Sequence, residues 1–361
     1  MSDNLSLSRI TEQPFGLLST GEAARLFTLT NTNGMQVNIT NYGGIITSIF
    51  THDKTGRASD IVLGYDNASD YEQDTYYLGA IVGRYAGRIA DGKITLDDQE
   101  YQLALNAPDS QLHGGPHAFN KKLWTSEVSS DSNQSSLTLK YTSPDGENGF
   151  PGTVDVCVVY TLTDNNELIV EYHATTDKTT LLNLTQHSYF NLAGHDSGDI
   201  HQHKVAINAD HFLPMTPNAY PTGEIVNVSN TVHDFRVLKM LANDINGNDS
   251  QVNIAKGFDN YWLLNEDAKH DNKYAAQVVE PASGRMLTVF SDQPSLILYT
   301  ANYIDGSHIG KNNCQYQQRA GLCLEPQRAN NLETGADINN TLLTPDAPFY
   351  SKMRYKFSIA D

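Results

Sequence analysis

Five polar residues in this chain stand where neither a plain surface nor a plain core calls for them: His187, Glu325, His113, Arg88 and Asp259. His187 lies in TQHSYFNLAGH, positions 185 to 195. At a strand's period of two, Leu182, Leu184, Gln186, Ser188, Phe190 and Leu192 share one side. Asn183, Thr185, His187, Tyr189 and Asn191 share the other. The first side can pack on a core. The second is a row of hydrogen-bonding groups around a titratable imidazole, the pattern of a polar pocket floor.

Glu325 lies in AGLCLEPQ, positions 320 to 327. Alternation puts Leu322 and Leu324 on the core side and Gly321, Cys323 and Glu325 on the other, with Pro326 expected to end the ladder. A partly desolvated glutamate has a raised pKa and becomes a usable general base. Alone, the segment also fits an exposed edge glutamate.

Three further segments add candidate ligands. LHGG (112 to 115) places His113 before two glycines, which either let the backbone approach a ligand or simply make a sharp turn. In GAIVGRYAGRIADGKI (79 to 94), Arg84 and Arg88 sit among small and apolar residues and need partners. Arg88 reads as a fork for hydroxyl oxygens and Arg84 as structural. In GFDNYW (257 to 262), Asp259 sits among aromatic residues. A carboxylate accepting from adjacent hydroxyls beside an aromatic face is a carbohydrate-site pattern, although an Asx-turn aspartate at a strand start fits too.

Other chemistries fit less well. His201 and His203 have no third ligand nearby, and a solvated loop is the better reading. His113, His187 and Glu325 could bind a metal, but the surrounding hydroxyls and arginines favour a sugar. No GxSxG, P-loop or dinucleotide fingerprint occurs.

The elements that must position these residues are strands. Short alternating runs recur, as in SSLTLKYTSP (135 to 144), TVDVCVVYTLTDNNELIVEYHAT (153 to 175) and SLILYTANY (295 to 303), with turns at Asn33-Gly34, Asp91-Gly92 and Ser283-Gly284. Helical signals are confined to 66 to 74, capped by Ser69 or Asp70, and to 237 to 245. Neither can supply the crossovers of a parallel sheet. The expected fold is an all-β, large antiparallel sandwich, one domain over 1 to 361 with an irregular lead-in over 1 to 20.

A net charge of −18 over 361 residues argues against nucleic acid and anionic membrane as partners. No signal peptide and no membrane span is expected. Three cysteines, an odd number without a CxxC pair, read as reduced thiols in a cytoplasmic protein.

LHGG, HSYFNL, GFDNYW and LEPQ, in this order, resemble the aldose 1-epimerase (galactose mutarotase) family. RASDIVLGYD (57 to 66), SPDGENGFPG (143 to 152) and a terminal YKFSI extend the similarity from about Phe27 to Phe357. The resemblance implies a mutarotase-type sandwich that interconverts α and β anomers of free hexoses such as galactose and glucose, with no cofactor and no metal. It implies that His187 is the general acid toward the ring oxygen and Glu325 the general base at the C1 hydroxyl. His113 becomes a transition-state contact, and Arg88, Asp259 and, less directly, Gln293 become sugar ligands. Gly87 departs from relatives that carry Asn there, so a water or neighbour is expected to replace that contact. Nearby carboxylates should raise the protonated fraction of His187, about a quarter at neutral pH for an unperturbed histidine. The expected partner is an aldohexose, and the expected state a monomer or homodimer.

Two alternatives remain open. A hexose-6-phosphate epimerase would need a basic cluster, and this chain shows only scattered Arg and Lys. A non-catalytic carbohydrate-binding protein would need ligands and an aromatic platform but no paired acid and base.

Overall fold

The computed structural model describes residues 9–266, 273–329 and 338–360. Strands dominate, and the described α-helices are two single short ones, Ala68–Gln73 and Ser250–Ala255. The largest layer is a nine-stranded antiparallel sheet. At its centre run Gln134–Ser143, Val154–Thr163, Glu167–Thr176, Phe349–Ile359 and Arg285–Ser291. Alternation explains how it buries one face. Leu168, Val170, Tyr172 and Ala174 point inward, while the residues between them are half-buried or exposed. Each such apolar side chain contributes about 1.5–3 kcal/mol when fully buried.

Facing it is a five-stranded antiparallel sheet whose last three strands are Asp259–Leu263, Ser295–Tyr299 and Cys323–Gln327. These strands are buried on both faces, and the period of two sorts what each face meets. Trp262, Leu296, Leu298, Leu322 and Leu324 join the main core against the large sheet. Tyr261, Ile297, Tyr299 and Cys323 form a second cluster on the far side. A third sheet is built from Ile10–Leu17 through Ala58–Asp60.

Several expectations change. Residues 10 to 17 are not an irregular lead-in but an edge strand paired with Ala23–Thr30. Its side chains are mostly exposed, so no hydrophobic alternation marked it. The helix in 66 to 74 is capped by Asn67, whose side chain accepts from the Asp70 N–H, rather than by Ser69 or Asp70. The 237 to 245 segment forms a two-residue strand, Lys239–Met240, and one 3-10 turn, Leu241–Asn243. The second α-helix lies at Ser250–Ala255, capped by Asp249. Pro326 does not end its ladder, since the strand runs on to Gln327 opposite Ser295. As the outer strand of its sheet, it can carry a residue without an N–H. His203 is not in a solvated loop. It is buried, and its Nε2 accepts from the Leu192 N–H at 2.9 Å. Among the described residues, no helix is long and apolar enough to cross a membrane.

One buried ion pair locks the third sheet to the layers beneath. Lys311 Nζ donates to Asp60, to the Thr47 carbonyl at 2.7 Å and to the Val62 carbonyl at 2.8 Å. Asp60 also accepts from the Ile49 N–H at 3.1 Å. Val62 in turn bridges Phe190, inside the histidine segment. Lys311→Met should leave an uncompensated buried carboxylate and cost about 3–5 kcal/mol of unfolding free energy. Urea denaturation reads this directly, and a loss below about 1 kcal/mol would show that the pair carries no such role.

Candidate active site

The strand that carries His187 is short, Thr185–His187, and pairs with Ala80–Val82. Beyond it, only Phe190 makes bridges, to Val62 and Leu322. The segment 185 to 192 is buried on both sides, because the large sheet lies under one face and the cavity wall covers the other. Its polar row is therefore not exposed to a solvent-filled pocket along its length.

Most of that row binds main chain across the gap to the Glu325 strand. Thr185 Oγ1 donates to the Pro326 carbonyl at 2.9 Å. Asn183 Nδ2 donates to the Arg328 carbonyl at 3.0 Å, and its Oδ1 accepts from the Arg328 N–H at 3.1 Å. Asn191 Nδ2 donates to the Ala320 carbonyl at 2.9 Å. Thr185 and Asn191 thus hold the strands together rather than facing a ligand. Tyr189 contacts the imidazole of His187, with ring centroids 5.1 Å apart.

This tethering sets His187 against Glu325. Their Nε2 and Oε1 atoms are 3.5 Å apart, with side chains only 6% and 3% exposed. They share a cavity of about 300 Å³ with Arg88, His113, Asp259, Tyr77, Tyr299 and Tyr303, at the small end of the ~300–1,000 Å³ typical of ligand sites. A larger depression of about 610 Å³ lies on the outer face of the big sheet, between Leu123 and Thr175. It holds none of the five candidate residues.

His113 stands at φ +52°, in the left-handed region that non-glycine residues visit at a cost and often at functional sites. Its ring lies 5.4 Å from that of His187. The Gly87 N–H points at its Nδ1 from 3.2 Å, and the His113 N–H donates to the Gly87 carbonyl at 2.9 Å. Gly87 thus acts through its main chain. Of the two glycines in LHGG, Gly114 serves close backbone packing rather than a ligand. A Cβ there would collide with the Gly83 carbonyl oxygen.

Arg88 opens the strand Arg88–Ala90 and Asp259 opens Asp259–Leu263, and their charges reach each other within the cavity. Arg84 lies elsewhere. Its guanidinium is buried and donates to Ser143 Oγ at 2.8 Å and to the carbonyls of Ser143, Pro144 and Pro151. Gln293 is also outside the cavity, which corrects its reading as a ligand. Its Nε2 donates to Ser351 Oγ at 2.7 Å and Asp292 Oδ1 at 3.0 Å, so it braces the turn before Ser295–Tyr299.

The aromatic face is not the one GFDNYW suggested. Phe258 and Trp262 belong to the main core. The cavity is walled by tyrosines from other segments: Tyr77, Tyr189, Tyr299 and Tyr303. Tyr77, Tyr299 and Tyr303 were missed by sequence reasoning. The available signal was the clustering of tyrosines in TYY (75 to 77) and LYTANY (298 to 303) in a chain with 19 of them.

Burial dominates the electrostatics. It pushes His187 down to about 4, against a supporting hydrogen bond to its own main chain. Burial raises the Glu325 carboxyl well above its usual range, Asp259 raises it further, and a Gln327 hydrogen bond opposes both. The Asp259 carboxyl keeps some surface open to the cavity. The protein around it still pushes it up to about 6, against the downward pull of Arg88. His113 is held well below 6.5 by burial, with His187 and Arg88 adding to the effect. The expected rise in the protonated fraction of His187 does not hold in the empty cavity, where burial of the ring sets the direction.

A family model described as Aldose 1-epimerase matches residues 25–356. The chain belongs to the aldose 1-epimerase family. Galactose mutarotase of Homo sapiens is 40% identical over 356 residues, covering 98% of this chain and 100% of that protein. Aldose 1-epimerase of Escherichia coli (strain K12) is 34% identical over 319 residues, covering 88% and 90%. Galactose 1-epimerase from Lactobacillus acidophilus NCFM has a related structure, with a TM-score of 0.86 at 27% identity over 98% of this chain and 99% of that one. Among aldose 1-epimerases the activity is an isomerisation, the interconversion of anomers, and this chain shares it.

The coupling of the two cavity carboxyls is directly testable. Asp259→Asn removes a negative charge near Glu325, so the Glu325 pKa should fall toward 4.5 while staying above it, since burial is the larger cause. Carboxyl ¹³C titration by NMR measures this. An unchanged or raised Glu325 pKa would contradict it.

Proposed function

We propose that this aldose 1-epimerase acts on free aldohexoses such as galactose and glucose, with Glu325 as base, His187 as acid and no cofactor. The observation that carries the assignment is the facing pair itself, 3.5 Å apart and buried. In a cyclic aldose the C1 hydroxyl oxygen and the ring oxygen hang on one carbon. The base and acid that serve them must therefore be close neighbours on one side of the ring, as these two are.

Glu325 takes the proton from the C1 hydroxyl. The C1–O5 bond breaks with its electron pair going to O5, and protonated His187 supplies the proton there. The aldehyde turns about C1–C2. His187 then takes the O5 proton back, O5 attacks the other face of C1, and Glu325 returns its proton to O1. Across the whole cycle the pair exchanges protons with the sugar and needs no further donor.

Burial favours a neutral imidazole and a protonated carboxyl in the empty cavity. The sugar hydroxyls that enter are donors to Glu325. They stabilise its charged form, and the proton passes to His187. Asp259 and Arg88 hold hydroxyls from the wall, and the tyrosines pack on the C–H faces. His113, held neutral, donates to developing oxygen charge.

Arg88 is the one Arg or Lys side chain among the described residues lining the cavity, where it faces two carboxyls. That balance supports a neutral sugar over a 6-phosphate. A cytosolic location fits the three free thiols, and one domain over 1 to 361 fits a cavity whose residues run from Thr75 to Glu325.

His187→Asn and Glu325→Gln should fold and lose about 10²–10⁴-fold in kcat, read by polarimetry of fresh α-glucose or α-galactose. Near-native rates in either variant would remove the assignment. Gln293→Ala should leave KM unchanged in the same assay, because its side chain does not reach the cavity. For the native chain, kcat/KM should fall as pH drops through about 6, where Asp259 takes up its proton and stops offering a charged acceptor to the sugar hydroxyls. An acid limb near 4 would contradict the shifts.

A further inference from the structure

The two cavity histidines differ in what faces Nδ1. For His113 it is the Gly87 N–H, at 3.2 Å. An N–H only donates, so this Nδ1 is bare and the neutral ring carries its proton on Nε2. For His187 the atom at Nδ1 is Cys323 Sγ, 3.6 Å away, while Nε2 faces Glu325 Oε1. A thiol can accept as well as donate. A main-chain group of His187 itself also favours the protonated imidazole and so acts as an acceptor.

We infer that Cys323 is a positioning residue whose Sγ accepts the Nδ1–H of His187, keeping Nε2 as the nitrogen that gains and loses the catalytic proton. The two histidines are then held in opposite tautomers. His113 is a fixed N–H donor, and His187 is a proton shuttle.

Strand geometry makes this possible. Cys323 and Glu325 are two residues apart on the strand Cys323–Gln327, so both side chains leave the same face. Two residues of strand span about 6.6 Å, enough for an imidazole with one partner at each nitrogen. A single CxE element thus addresses both ring nitrogens. The choice of sulfur has a chemical reason. A carboxylate at Nδ1 would add another buried charge and hold His187 as imidazolium. A neutral, weakly accepting thiol orients the ring without trapping its proton. Cys323 is fully buried, and its surroundings keep it a thiol, since burial, Glu325 and Asp259 all oppose the thiolate.

The kinetic part rests on the acid–base reading above, whereas the tautomer does not. The test is long-range ¹H–¹⁵N NMR on the labelled full chain, with the ring signals assigned by their loss in His187→Asn and His113→Asn. Unliganded His187 should read as Nδ1–H and His113 as Nε2–H. In Cys323→Ala the Nε2–H form of His187 should grow and kcat should fall about tenfold with little change in KM, a part of the ~10²–10⁴ that acid–base catalysis supplies. Cys323→Ser, which keeps an acceptor, should restore both. A native His187 in the Nε2–H form overturns the inference, as does a fall in kcat without a tautomer change or a failure of serine to rescue. Absence of mutarotation in the native chain would defeat the functional reading while leaving the NMR result to decide this one.

Discussion

The site depends on two strands held side by side without a full ladder between them. At Phe190 and Leu322 the segments exchange two main-chain hydrogen bonds, at 2.7 and 2.9 Å. Further along, at Thr185 and Asn183, side chains reach across to Pro326 and Arg328 instead. These side-chain tethers hold the two segments side by side and pair the main-chain groups of Pro326 and Arg328. Each such bond is worth only about 0.5–1.5 kcal/mol net, but leaving its partner unmet in the interior costs about 1–3. The spacing of His187 and Glu325 is therefore defended by groups that touch neither.

The same enclosure sets the chemistry. Burying a charge is costly, so the interior pushes His187 down and Glu325 up until each favours its neutral form. One proton shared between them leaves the pair neutral wherever it rests. In the empty cavity that proton rests on the carboxyl, and in the proposed reaction the entering sugar hydroxyls are what bring the imidazolium form within reach.

The fold was legible because parity survives burial. Leu182, Leu184, Phe190 and Leu192 do join the main core, as do Leu322 and Leu324, while Tyr189 and Cys323 fall on the cavity side. What alternation could not reveal was that the second face is also covered, so the polar row meets main chain more than solvent. The edge strand Ile10–Leu17 was illegible because an exposed strand has no face to mark. The cavity tyrosines were illegible for a different reason. Tyr77, Tyr299 and Tyr303 come into one cavity with His187 only through the tertiary fold, and no local pattern encodes that. Gln293 failed as a ligand because its place in SDQPS says nothing of Ser351, 58 positions away, which holds its amide.

Cavity residues drawn from Thr75 to Glu325 mean that the sheets must be assembled before the site exists. The precision needed at C1 therefore has to come from rigid neighbours rather than from local chain geometry. Each working group shows such a neighbour. His113 is pinned by the main chain of Gly87, Glu325 by its place opposite Ile297, and His187 by the strand it faces. Main-chain and strand contacts serve where flexible charged side chains could, and the net charge of −18 stays on the outside. Within the cavity, Arg88 and Asp259 bring opposite charges that temper each other's field. In the proposed reaction, what remains to act on the sugar is a single proton between two buried groups, and the inferred direction of the ring nitrogens decides where that proton can go.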